Sequence, residues 1–164
     1  MKKRFLKFWV VAFLIFILDL ITKEFAEKYL ANKVIPIIPN FFNLVLVWNK
    51  GMAFGLLGNA PEILRFLTLI IATFIIIVIT ILYAYKNTDN LPKLQFYSLA
   101  LITGGALGNL YDRLFIGKVR DFLDFYIGNY HWPAFNIADS SITVGVIIFV
   151  SYEIFFKRKE EWFN

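Results

Sequence analysis

The chain has 164 residues, no cysteine, one histidine (His131), 59% hydrophobic and 19% aromatic residues, and a formal charge of +5. Ordinary soluble domains are about 45–50% apolar and must turn much of their surface to water, so this composition excludes a soluble globular protein and implies a single membrane domain, 1–164. The missing thiols exclude disulfides and cysteine nucleophiles, a lone histidine is too little for a structural zinc site, and basic residues flanking apolar runs indicate membrane topology, with no nucleic acid expected.

A helix crosses hydrocarbon with about 20 apolar residues. Four segments meet or approach that length, at about 5–22, 66–85, 94–112 and 136–156, predicting a mainly α integral membrane protein with four transmembrane helices. Lys2-Lys3-Arg4 and the run behind them resemble a secretory leader, but no small-x-small cleavage site follows and Asp19 interrupts the end, so a retained first helix is expected. Basic residues are denser in 1–7, 86–93 and 157–164 than in 23–65 and 113–135. Both termini are therefore expected to be cytoplasmic and the two longer loops, 23–65 and 113–135, to face outward. In the first of these, Val34–Ile38 and Phe41–Trp48 are β-branched and aromatic runs divided by Pro36, Pro39 and Asn40 and closed by Asn49-Lys50-Gly51. They predict short strands in a small sheet on the outer membrane surface, with Phe41, Phe42 and Trp48 suited to the interface.

Ionisable groups at membrane depth are costly and mark functional sites. Asp19 and Lys23, four apart, share a helix face; an anchoring ion pair and a direct role are both open. Asn49 to Gly55 reads as a strand-ending turn or as backbone that must approach a ligand. Gly104 and Gly108 form a small-xxx-small packing face, followed by Asn109, Asp112 and Arg113, with Asn109 and Arg113 on one face. The second outer loop carries Asp121 among apolar neighbours and Asp124 nearby. Asn136 and Asp139, three apart, open the fourth helix, where an acid also complements the helix dipole.

With neither cysteine nor a second histidine, the catalytic groups on offer are mainly carboxylates. Two aspartates held close share one proton: the ionised member can activate water while the protonated one polarises a carbonyl, and the pair titrates as a unit. A serine nucleophile, Ser140 or Ser141 with Lys23 as base, is a competing chemistry, but nothing in the sequence pairs those groups.

Five stretches in order, Asp19 to Lys23, Asn49 to Gly55, Gly104 to Arg113, Val119 to Phe122 and Phe135 to Ser140, resemble the lipoprotein signal peptidase (signal peptidase II) family, an intramembrane aspartic protease of bacteria. The resemblance implies four membrane helices, an extracytoplasmic β-cradle and a short periplasmic helix. It implies cleavage of diacylglyceryl-modified prolipoproteins N-terminal to the lipidated cysteine, at the outer face of the bacterial inner membrane. It implies no metal and no cofactor, inhibition by globomycin-type cyclic peptides, and membrane lipid around what is expected to be a monomer. It assigns the catalytic pair to Asp121 and Asp139 and supporting roles to Asp19, Lys23, Asn49, Gly51, Asn109, Arg113, Asn136 and Ala138. Arg120 departs from the small apolar residue expected there, and its side chain is expected to point to water. A small transporter using Asp19, Asp112 and Asp139, or a non-catalytic scaffold, are the rival classes; the first predicts ion flux and the second tolerance of Asp→Asn changes.

Overall fold

A computed structural model describes residues 3–51 and 61–157. Its elements run α1 (Lys3–Leu30), β1 (Ile35–Ile38), β2 (Phe42–Asn49), α2 (Glu62–Lys86), α3 (Lys93–Phe115), β3 (Val119–Ile127), β4 (Tyr130–His131) and α4 (Ile137–Tyr152), the last running into a π-helical turn at Glu153–Lys157. The strands form one antiparallel sheet in the order β1-β2-β3-β4, and the β1–β2 turn uses Asn40 at φ 61°, a left-handed conformation that asparagine tolerates.

Burial runs opposite to that of a soluble protein. α2 buries only Ile77, Thr80 and Ala84, while Ile71, Phe74, Ile75 and Ile79 lie exposed. α3, the most polar of the four helices, buries thirteen residues, among them Gln95, Ser98, Thr103, Asn109 and Asp112. Apolar side chains facing outward and polar ones facing inward are what a lipid surround favours. α1, α2 and the segment Ile137–Phe155 are long and apolar enough to cross a membrane. α3, at 23 residues, is long enough at about 1.5 Å per residue. Its glycines and its charged end, however, hold it below the apolarity of a span, so three helices meet the criterion where four were expected.

Glycine decides how closely α3 approaches its neighbours. A β-carbon on Gly104 would meet the Ala12 carbonyl and the Ile15 side chain of α1. One on Gly108 would meet the Asp19 carboxylate, and one on Gly105 would meet the Ala138 carbonyl and Ser141 Oγ of α4. The predicted Gly104/Gly108 face is thus the α1 contact, and Gly105 beside it serves α4. Thr80 and Thr103 add a buried Oγ–Oγ hydrogen bond of 2.9 Å between α2 and α3. At one end of the bundle Phe5, Phe8, Ala84, Phe96 and Leu99 form an apolar core. At the other, Ala26 and Leu30 of α1 pack against Phe122 of β3, with Leu44 and Leu46 of β2 around them.

That second core explains the main differences from the expected boundaries. α1 does not stop at Thr22. It runs to Leu30 because Ala26 and Leu30 have the sheet to pack against. The segment 113–135, expected as a loop, also carries regular structure. Its residues Val119–Ile127 form the longest strand, a period that Arg120, Asp121 and Asp124 obscured in the sequence. Phe42 stacks on Phe125 at 4.5 Å, Phe41 meets the same ring edge-on, and Trp48 lies under Lys118, so these aromatics line the sheet's own surface. No separate short helix occurs in the outer loops among the described residues; Met52 to Gly55 of the second polar stretch lie outside them.

Gly105→Ala should cost about 1–3 kcal/mol, because one obstructing atom, the Ala138 carbonyl oxygen, is backbone and cannot swing aside. Thermal unfolding in detergent is the check, and a melting temperature equal to wild type would contradict the close α3–α4 contact.

Candidate active site

Every sequence-predicted site residue arrives in one cluster where the helices meet the sheet. Asp19 and Lys23 come from one face of α1, Asn49 and Gly51 from the end of β2, Asn109 and Arg113 from α3, Asp121 from β3, and Asn136, Ala138 and Asp139 from the start of α4.

The N-terminus of α4 organises it. The first amides of a helix have no intrahelical acceptor. Here Asn136 is the N-cap: its Oδ1 accepts from the Asp139 amide at 2.9 Å, and Asp139 Oδ2 accepts from the Asn136 amide at 3.3 Å. This reciprocal pattern is a capping box. The Ala138 amide donates to Asp19 Oδ1 of α1 at 2.8 Å, so an acid more than a hundred residues away closes the same helix end. Ala138 itself is completely buried, and its contribution is its amide and its smallness.

Asp19 is in turn paired with Lys23 at 2.7 Å, and both side chains are fully buried. Lys23 Nζ also donates to Asn109 Oδ1 at 3.0 Å and lies 3.6 Å from Asp112. A second donor, Asn136 Nδ2, reaches Asn109 Oδ1 at 3.2 Å. With its oxygen so engaged, Asn109 has only its Nδ2 to offer outward, and this donates to Asp139 Oδ1 at 2.7 Å.

Asp121 is held in the same manner. Asn136 Nδ2 donates to Asp121 Oδ1 at 2.7 Å, and Asn49 Nδ2 to Asp121 Oδ2 at 2.9 Å. The Asn49 oxygen is occupied by the Gly51 amide at 2.7 Å, which orients the carboxamide. Gly51 adopts φ +88°, and any β-carbon there would strike Leu69, so only glycine makes that turn. Burial is the main force on the Asp121 carboxyl: it pushes the pKa up to about 7, aided by the Asp139 charge and opposed by the Asn49 and Asn136 donors.

Asp124 has partners of its own. A β-bulge between Leu44 and Val47 lets β2 serve both faces of β3. Asp124 accepts from Asn43 Nδ2 at 3.1 Å and meets His131 Nδ1 at 2.8 Å. Ser140 and Ser141 bond to backbone carbonyls of their own helix, at Asn136 and Ala138, so the Ser–Lys arrangement does not form. Arg113 is half-buried, and among the described residues its contacts are long, to Thr73 Oγ1 at 3.5 Å and the Asn109 carbonyl at 3.4 Å.

Arg120 corrects an expectation. Its side chain does not point to water; it is buried. It makes a two-pronged contact with Asp112, at 3.2 Å and 2.8 Å, and reaches Glu24 at 2.6 Å and Glu27 at 2.9 Å. Glu24 and Glu27 were not singled out in the sequence. Their three-residue spacing on the helix that carries Asp19 and Lys23 is the signal that could have raised them.

The fold and the cluster together define a helical membrane protein with two carboxylates, Asp121 and Asp139, linked through Asn136 between helix ends and a small sheet. The sequence profile described as signal peptidase (SPase) II matches residues 11–156. The chain is 57% identical over 159 residues to the lipoprotein signal peptidase of Sulfurihydrogenibium sp. (strain YO3AOP1), spanning 97% of this chain and 98% of that one. It is 48% identical over 147 residues to the lipoprotein signal peptidase of Aquifex aeolicus (strain VF5), spanning 90% and 85%. Two solved bacterial membrane enzymes superpose with TM-scores of 0.77 and 0.73 at 30% and 31% identity, covering 92% and 88% of this chain and 94% and 85% of theirs. The chain belongs to the signal peptidase II family, the lipoprotein signal peptidases, which cleave signal peptides from prolipoproteins.

Lys23→Met leaves Asp19 and Asp112 buried without their shared cation. A loss of about 3–5 kcal/mol is expected, the usual consequence of removing one partner from a buried pair. Chemical or thermal unfolding in detergent measures it, and a loss below about 1 kcal/mol, the size of an exposed pair, would contradict the buried network.

Proposed function

We propose that the chain is an aspartic endopeptidase with Asp121 and Asp139 as its catalytic pair. It removes signal peptides from diacylglyceryl-modified prolipoproteins by cutting on the N-terminal side of the lipidated cysteine. The observation that carries this reading is the double role of Asn136, whose side chain donates to Asp121 while its backbone amide donates to Asp139. One residue thereby ties two carboxylates from different elements into one unit.

The chemistry follows from a shared proton. The ionised member takes a proton from water as the oxygen attacks the scissile carbonyl. The protonated member donates to the carbonyl oxygen, giving a tetrahedral diol. Return of a proton to the peptide nitrogen then lets the C–N bond break. Burial of Asp121 makes it the natural holder of the shared proton below pH 7. Half-buried Arg113, with its two long contacts, is available to a substrate carbonyl or to the lipid-linked end.

In the membrane, α3 is the fourth span, enclosed by α1, α2 and α4, which explains how it can be polar. The whole chain is one membrane domain in the bacterial inner membrane, with cytoplasmic termini and the sheet and dyad near the outer face. Gln95, whose Nε2 donates to Glu153 at 3.0 Å, lies at the opposite, cytoplasmic end. The enzyme acts as a monomer, its partners are the lipid-modified substrates and bilayer lipid, and globomycin-type peptides occupy the dyad.

Purified in detergent and given a diacylglyceryl-modified prolipoprotein, Asp121→Asn and Asp139→Asn should each lose about 10³-fold or more in kcat/KM, since each removes an acid or a base from the transition state. Asp124→Asn should stay within a few-fold. A dead Asp124→Asn beside an active Asp121→Asn would overturn the assignment.

The pH profile has a definite sign. Below about pH 7 Asp121 keeps its proton; above it the pair loses the one it shares, so kcat/KM should fall as pH rises past 7. Asn49 favours the ionised form of Asp121, so Asn49→Ala should move that falling limb to higher pH. A limb that moves down would contradict the Asn49–Asp121 contact.

A further inference from the structure

The proposed mechanism gives Arg120 nothing to do, yet it is the largest fully buried side chain among the described residues. Its inner half grips Asp112 through Nε at 3.2 Å and Nη2 at 2.8 Å, and its own amide donates to the same carboxylate at 3.0 Å. Its outer half reaches Glu24 and Glu27, whose side chains are 71% and 45% exposed. The residue immediately after it in β3 is Asp121, and its carbonyl accepts from Asn136 Nδ2 at 3.3 Å.

The charges behind the dyad are finely balanced. Asp19 and Asp112 are two fully buried carboxylates, and Lys23 stands between them, at 2.7 Å from the first and 3.6 Å from the second. A single ammonium cannot neutralise two buried acids. With Arg120 on Asp112, Lys23 is left to Asp19 and to the Asn109 oxygen at 3.0 Å. That contact, the shorter of two on the Asn109 oxygen beside Asn136 Nδ2 at 3.2 Å, sets which end of the carboxamide faces Asp139: an amide held by its oxygen presents its nitrogen, which donates at 2.7 Å. Were Lys23 drawn toward Asp112, only the longer Asn136 contact would keep the amide from turning and setting an acceptor against a carboxylate.

We propose that Arg120 is a positioning residue for the dyad: by neutralising Asp112 it keeps Lys23 on Asn109 and so fixes the donor that orients Asp139. The inference rests on the aspartic dyad reading and deepens it. It also explains why a cation stands beside Asp121 in this chain, where a small apolar side chain was expected.

The test uses the full-length protein in detergent with the lipidated prolipoprotein and separates charge from packing. Arg120→Lys keeps the cation and should hold kcat within about threefold of wild type. Arg120→Gln keeps a hydrogen-bond donor and loses the charge, and its kcat should fall at least about tenfold with KM little changed, as for a group acting only in the transition state. Adding Asp112→Asn to Arg120→Gln removes the unbalanced acid and should recover most of that loss, because residues in one network are non-additive. Equal losses for Lys and Gln, no loss for Gln, or a double variant no better than Arg120→Gln would each overturn the proposal. If Arg120→Gln is not recovered folded, the double variant carries the test alone: cleavage within about tenfold of wild type supports the charge balance, and its absence overturns it. Asp121→Asn is run alongside. Full cleavage by that variant would sink the dyad reading itself, whatever the Arg120 variants do.

Discussion

The structure depends on how one ammonium is buried. Lys23 sits on α1 with no exposed surface, a placement that costs several kcal/mol unless paired and hydrogen-bonded. Its partners come from two elements, Asp19 one turn away on α1 and Asn109 and Asp112 on α3. Satisfying that charge forces α1 and α3 into close register, and Gly104 and Gly108 permit the approach. The cation therefore acts as a gauge: helices displaced by one turn would leave it with Asp19 alone, stripped of Asn109 and Asp112 on α3.

From that fixed point the site is assembled by satisfying backbone groups that the fold would otherwise leave bare. The start of α4 needs acceptors for its first amides, and Asp19 and Asn136 supply them. Asp139 lies in that first turn, so the same cap that stabilises the helix also sets one carboxylate of the pair. Asn136 then extends to Asp121, linking the helix end to the sheet. Stability and proposed catalysis thus draw on the same hydrogen bonds, and a residue such as Ala138 matters through its amide without presenting a functional group.

The helices and the polar cluster were legible because both rest on local signals: long apolar runs, and ionisable residues in places where lipid makes them costly. The strand pair of the first outer loop was legible for the same reason, in Val34–Ile38 and Phe41–Trp48. What the sequence hid depends on contacts between distant segments. α1 continues to Leu30 only because Phe122, far along the chain, gives Ala26 and Leu30 something to bury against. β3 carries three charges that mask its alternation, and each is explained only by a partner elsewhere: Asp112 for Arg120, Asn49 for Asp121, Asn43 for Asp124. α3 can be polar because its neighbours are α1, α2 and α4, whose positions no local window contains.

The chemistry of the orienting groups also bears on the proposed mechanism. Both aspartates are held by neutral carboxamides and a backbone amide: Asn49 and Asn136 on Asp121, Asn109 and Asn136 on Asp139. A guanidinium or ammonium bonded directly to either would favour its ionised form so strongly that the pair could not share a proton near neutral pH. Lys23 and Arg120 are instead bonded one residue back, to Asn109 and to Asp112. Their charge reaches the dyad as orientation of an amide and attenuated potential, while Asp121 keeps a pKa near 7. A site that must both accept and donate a proton requires that separation, and the asparagines are the layer that provides it.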